Sequence, residues 1–175
     1  MAIINITAEV VGEAKLVKAF KGISDKIKDF KDIFEKIIPE YHKMEANIFN
    51  TQGAVSPNVR WQNLSDIYAR QKIRLVRAGK YISMDVLVAT GRLKESLTRK
   101  TSDSIIDIKD TEMLLGVDGN KIKYAITHQR GKGNIPRRRF IFISSDFKNE
   151  IIKIFKEGLT KKIKSEINNN VGSGE

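Results

Sequence analysis

No cysteine occurs in the 175 residues. This excludes disulfides, thiolate metal sites and a cysteine nucleophile, and it suits a reducing compartment such as the cytoplasm. Histidine is nearly absent as well. His42 and His128 are the only two, and neither has a partner at metal-ligand spacing, so no HExxH or Cys/His site is expected. No apolar run approaches the ~20 residues of a membrane span, so no membrane partner is expected. The opening Met1-Ala2-Ile3-Ile4-Asn5-Ile6 carries neither a basic leader nor a long apolar stretch and does not read as a signal peptide. There is no GxxxxGKS/T loop and no GxSxG elbow. Arg130-Gly131-Lys132-Gly133-Asn134 sets two glycines among cations. A phosphate suits such a loop, but this one does not join a strand to a helix start at the required spacing. Nothing singles out one pair among the 21 acidic residues. The expectation is therefore a protein without catalytic residues, metal or cofactor.

What the chain does have is positive charge. Thirty-two Lys and Arg oppose 21 Asp and Glu, for a net charge of +11. The excess is concentrated. Residues 1–50 hold 8 basic and 8 acidic groups, whereas residues 51–100 hold 10 and 3. A basic middle third attracts a polyanion, whether nucleic acid, an acidic membrane or an acidic protein face. Hydrophobic residues at 41% and charged residues at 30% describe a soluble globular protein. A chain of this length can bury roughly 70% of its unfolded surface without a covalent staple.

Periodicity organises the rest. β-Branched residues alternate through 3–10 and predict a short strand. Leu16, Phe20, Ile23, Ile27, Phe30, Phe34, Ile37 and Tyr41 are spaced alternately by four and three, which is one apolar stripe on a helix. A helix from Glu13 to Ile38 would be about 39 Å long. Pro39 is expected to kink it or begin a second helix, Glu40 to Phe49, because proline lacks a donor N–H. The long segment is either a coiled-coil arm or a core helix lying on its own sheet; aromatic residues along the stripe suit the broader core. Residues 51–63 predict a loop and 64–79 a helix bearing Arg70, Lys72, Arg74 and Arg77. Thr90 is placed to cap a short helix, 92–97. Residues 102–109 and 112–117 read as two strands about an Asp110-Thr111 turn. Residues 121–128 fit strand or helix equally. A basic Gly-Pro loop spans 129–138, and Ser144 or Ser145 can cap a last helix with the stripe Ile151, Phe155, Leu159, Ile163 and Ile167. The tail 168–175 is expected to be disordered. Together these predict one α+β domain over 1–167, with a small, mainly antiparallel sheet covered by the C-terminal helix and part of the long N-terminal amphipathic helix.

Individual residues have structural readings first. Trp61 can pin its loop to the core, Gly91 and Gly131 can permit close backbone approach, Leu93 and Leu97 share a helical face, and His128 can brace the basic loop. Arg137-Arg138-Arg139 present three planar donor forks. They suit phosphates, or they pair with acids of neighbouring subunits, or they remain solvated. Tyr124 and Phe140 flank that loop as core aromatics or stacking platforms.

Four segments then stand in order: Arg60-Trp61-Gln62-Asn63-Leu64-Ser65, Ala89-Thr90-Gly91-Arg92-Leu93-Lys94-Glu95-Ser96-Leu97, Tyr124-Ala125-Ile126-Thr127-His128-Gln129-Arg130-Gly131, and Pro136-Arg137-Arg138-Arg139-Phe140-Ile141. In this the chain resembles the phage virion-morphogenesis, or tail-completion, family of Mu-like and P2-like contractile-tailed phages and prophages. The resemblance covers about residues 55–145. Asn63 and Arg139 stand where the family usually has proline, and Arg130 where it has an aromatic residue. The resemblance implies a structural protein of the virion neck, assembled in the host cytoplasm and joining the finished tail to the DNA-filled head. It would act as a ring subunit, most simply a hexamer, with the tail tube or sheath top and the head-side connector as neighbours and DNA passing through. A tail terminator that caps the tube is the nearest alternative. A nucleic-acid-binding module using the basic region 60–100 and Arg137–Arg139 is another. Contact candidates are Trp61, Leu64, Arg70, Arg74, Arg77, Arg130, Lys132, Arg137, Arg138 and Arg139. Structural motif positions are Thr90, Gly91, Leu93, Ser96, Tyr124, Ala125, His128, Gly131, Pro136 and Phe140.

Overall fold

A strand-turn-strand pattern at 102–117 needs only a two-residue connection to pair with itself. In the computed structural model, which describes residues 2–7, 28–55 and 60–171, it does so. Strands β2 (Ser104–Ile108) and β3 (Glu112–Val117) are antiparallel, with Ile106 opposite Leu115 and Ile108 opposite Met113. The N–H of Lys109 donates to Glu112 O at 2.8 Å across the Asp110-Thr111 turn. The opening strand β1 (Ala2–Thr7) pairs antiparallel with the other edge of β3, from Ala2 opposite Val117 to Thr7 opposite Glu112. The sheet order is β1-β3-β2. Period-two alternation places Met113, Leu115 and Val117 on one face, all fully buried.

Helix α1 (Lys31–Asn50) covers the core. Ile33, Phe34, Ile37, Tyr41, Ile48 and Phe49 are all buried, and each such Ile or Phe contributes roughly 1.5–3 kcal/mol before entropy is counted. This is the core reading of the apolar stripe and not the arm. Two expectations need correction. The helix does not run through residues 28–30, because the N–H of Phe30 turns to Asp110 O at 2.7 Å and the helix begins just after it. Nor does it break at Pro39, which lies inside one continuous helix. Pro39 and Glu35, whose carbonyl loses its partner, are both solvent-exposed, so water can satisfy the freed acceptor. The stripe positions 16–27 lie outside the described residues.

Helices α2 (Asp66–Arg77), α3 (Arg92–Thr98), α4 (Tyr124–Arg130) and α5 (Ser145–Val171) complete the chain. The undecided segment at 121–128 is thus helical from Tyr124. Both α3 and α5 pack on α1. The Ser144 hydroxyl accepts from Phe147 N at 3.1 Å, capping α5 as expected. Phe155 of α5 meets Phe34 edge-on, with centroids 5.7 Å apart, and lies 6.2 Å from Phe30. Helix α5 continues to Val171, four residues into the tail expected to lack structure. An established helix gains one hydrogen bond for each residue it adds.

Two features make the α1 packing testable. A Cβ on Gly158 would stand 2.6 Å from Ile33 Cγ1 and 2.7 Å from Cδ1, so α5 crosses α1 where only glycine fits. Gly158→Ala should therefore cost roughly 1–2 kcal/mol in denaturant unfolding, overpacking outweighing the gain in helix propensity of about 1 kcal/mol. In an Ile33→Ala background that loss should vanish. The second feature is Glu45, which is fully buried one turn after Tyr41. Among the described residues, neither its carboxylate oxygens nor the Tyr41 hydroxyl has a hydrogen-bond partner. Burial pushes the Glu45 carboxyl well above the usual carboxylate range. A raised native pKa means that stability is greatest below the unfolded value of about 4.3 and is lost as pH rises through the native one. Glu45→Gln should match the wild type near pH 4 and exceed it at pH 8 by about 1–3 kcal/mol in urea titrations.

Candidate functional site

The four segments that carry the family resemblance come together around one clamp. Helix α4 ends at Gly131, whose φ is +74°. A Cβ there would lie 3.1 Å from Arg137 N and 3.2 Å from its Cβ, so glycine lets the returning strand pass. The chain reverses through a bridge between Lys132 and Ile135 and comes back beside α4, where Arg138 N donates to His128 O at 2.7 Å. Gln129 then acts as a substitute strand. Its Oε1 accepts from Phe140 N at 3.0 Å and Ile141 N at 3.1 Å, and its Nε2 donates to Ile141 O at 2.6 Å. Arg130 and Gln129 belong to α4, so the expected loop at 129–138 begins two residues later.

Trp61 closes the clamp from the other side. It is buried, its Nε1 donates to Arg139 O at 2.7 Å, and its ring stands edge-on to Phe49 at 5.2 Å. Arg138 is buried too, donating from Nε to Gln62 O at 3.1 Å and from Nη2 to Asn63 O at 3.3 Å. Its Nη1 lies 3.5 Å from His128 Nδ1. Trp61 and Arg138, both candidates for partner contact, are thus turned into the chain. Their donor groups are committed to backbone carbonyls inside the chain. Leu64 is half-buried against the core. Ala125 and Phe140 are fully buried, Pro136 is half-buried, and Tyr124 is 45% exposed with its ring edge-on to His128.

The second segment supplies the core beneath the clamp. Leu93 and Leu97 are fully buried, and the buried Ser96 hydroxyl donates to Leu93 O at 2.8 Å. Thr90 does not cap α3. Gly91 occupies the N-cap position with φ +83°, and a Cβ there would come within 2.9 Å of Ile82 Cδ1. The left-handed backbone takes Thr90 out of capping position and demands glycine. Arg92 grips Asp103 through two bonds of 2.6 and 2.9 Å, which hold the carboxyl below its usual range.

The exposed cations are those left outside the clamp. Arg130, Lys132 and Arg137 are exposed, and Arg139 lies half-buried with its guanidinium 5.5 Å from the Phe142 ring centroid. On α2, Ile67, Arg70, Arg74 and Arg77 fall at helical spacing on one exposed stripe. Among the described residues, no carboxylate lies within ion-pair distance of Arg70, Arg74, Arg77, Arg130 or Arg137. The opposite face of α2 anchors it. Ser65 caps its start and the buried Lys72 donates through Nζ to Asp85 O. Burial lowers the pKa of Lys72, Arg138 and His128, and the Arg138 charge lowers His128 further. Lys72, Gln129 and Glu45 are positions that sequence reasoning passed over. The only signal at Lys72 is its place opposite the arginine stripe.

Among the described residues, no group of three or more His, Asp or Glu side chains is arranged to hold a metal ion, and no helix is long and apolar enough to cross a membrane. The chain matches no protein-family model, no curated protein and no solved structure.

The two adjacent arginines should behave oppositely. Arg138→Ala leaves the carbonyls of Gln62 and Asn63 short of a donor and should lower unfolding stability by about 1–3 kcal/mol. Arg137→Ala should stay within about 0.5 kcal/mol of the wild type in the same denaturant titration.

Proposed function

We propose that the protein is a structural subunit of a phage neck, completing the tail and joining it to the DNA-filled head as one member of a ring. It works by docking and not by turnover. The observation that carries this reading is the convergence of three of the four resembling segments. Trp61, Gln129, Arg138 and Gly131 brace one another through the contacts at Arg139, Phe140–Ile141, Gln62–Asn63 and Arg137. Residues far apart in sequence thus form one hydrogen-bonded unit that holds exposed cations on its rim. A charged rim favours fast and selective docking, and ring closure needs two different patches on each subunit.

A tail terminator capping the tube is the neighbouring reading, and the same experiment separates the two. The gene is deleted in the inducing host and the released particles are viewed by electron microscopy. Filled heads beside detached tails of normal length are the expected result. Tails of abnormal length would assign the terminator role, and wild-type particles would overturn both readings. The unpaired stripe Arg70, Arg74 and Arg77 favours a second class, a nucleic-acid-binding module. That class requires duplex affinity whose logarithm falls steeply with the logarithm of salt.

A further inference from the structure

Helix α2 forms a largely exposed ridge on the surface. Only Lys72 among its residues is fully buried, while Ile67 is 82% exposed. Ile67, Arg70, Arg74 and Arg77 follow the i, i+3, i+7, i+10 spacing, a line about 15 Å long. An apolar tip with three cations behind it is poorly suited to phosphate, which has no use for the isoleucine. It suits an apolar groove with an acidic rim.

The chain carries such a groove elsewhere. A cleft of about 780 Å³ lies between the second half of α1, the turn after it and the start of α5. Met44, Ala54 and Val55 contribute accessible apolar surface, and Glu40, Asp146 and Glu150 contribute acid. Lys43 is the one cation among its described lining residues. On a chain of net charge +11, this lining carries more acid than base; Glu40 and Glu150 reach Lys43 and Lys153 at 3.5 and 3.3 Å, Asp146 has no ion-pair partner among the described residues, and the chemistry is the converse of the ridge.

We propose that the ridge of α2 in one copy docks into the α1–α5 cleft of the next. The occupant of the cleft is a second copy of this chain, with Ile67 against the apolar floor and Arg70, Arg74 and Arg77 along the acidic rim. The two patches differ, so the contact is heterologous and propagates head to tail until it closes. This deepens the ring reading and rests on it only for that closure.

The test is a reciprocal charge reversal read by sedimentation velocity. The wild type should associate with rising concentration, less so at high salt. The ridge variant Arg70→Glu/Arg74→Glu and the cleft variant Asp146→Lys/Glu150→Lys should each remain monomeric, since like charges then face each other. Mixed in equal amounts they should assemble, because each reversed patch meets its opposite. Unchanged thermal unfolding of the variants, both altered at outward-facing positions, checks that they fold. A wild type that stays monomeric at several hundred micromolar, variants that associate normally, or a mixture that fails to assemble would each overturn the proposal. So would a ridge variant that loses duplex DNA binding but keeps its self-association, which would make the ridge a nucleic-acid face. Detached tails from the deletion together with a monomeric wild type would retire this contact and leave the neck reading. Normal particles together with restored assembly in the mixture would do the reverse.

Discussion

Burial of helix α1 is the constraint on which the other elements depend. Its apolar side faces both α3 and α5, and its first residues are tied to the hairpin by the Phe30–Asp110 hydrogen bond and the Lys31–Asp110 ion pair at 2.6 Å. Helices α3 and α4 lie against the sheet, at β3 and β1 respectively, and a helix as apolar as α1 is stable only if both of its flanks are themselves packed. The Gly158–Ile33 crossing and the Phe30–Phe34–Phe155 cluster supply one flank, and the Leu93 and Leu97 face of α3 supplies the other. Glu45 sits on this buried surface and opposes it. Burial favours its neutral form, because an unpaired buried carboxylate would cost far more than a protonated one.

The clamp solves a different problem, namely how a cation-rich segment can be held firmly without a strand partner. Extended chain alternates its side chains, so Arg137, Arg138 and Arg139 cannot all face the same way. Arg138 turns inward with Phe140, while Arg137 remains outside. Three adjacent arginines therefore divide into one strut and two surface groups. Among the described residues the strut has carbonyls and the His128 ring as its hydrogen-bond partners and no carboxylate, and burial depresses its pKa and that of His128. The backbone donors of Phe140 and Ile141 would otherwise be stranded beside the core, and the Gln129 carboxamide meets them.

Much of the framework was legible in the sequence because it depends on short-range pattern. The hairpin at 104–117, the stripe from Phe34 to Ile48, the Ser144 start of α5, and the α+β class follow from periodicity and caps. The failures have physical causes. A proline inside a helix is tolerated when the carbonyl it orphans faces water, and exposure at Glu35 is not a local property. Thr90 stands where a cap is expected, but Gly91, with its positive φ and the Ile82 side chain against it, takes the N-cap position instead. Lys72, Arg138 and Glu45 are charged residues in buried positions, where composition predicts solvent. Gln129 has no pattern to betray that its amide substitutes for a strand. The site was thus visible as a set of residues, while their division into braces and free surface required the tertiary contacts.

The stability of α2 adds an argument about that free surface. A twelve-residue helix is marginal in isolation, and Arg70, Arg74 and Arg77 repel one another at i,i+4 and i,i+3 by a few tenths of a kcal/mol per pair. Few of its side chains reach the core, so its anchorage falls on Lys72, whose own burial is unfavourable, and on the Ser65 cap. A helix held at such cost, bearing an exposed isoleucine and three unpaired cations on its outer side, gains little within one domain. Its sequence is accounted for by what lies outside the domain: an apolar, acidic surface neutralises the repulsion and covers Ile67 in the same step, and the α1–α5 cleft has that composition.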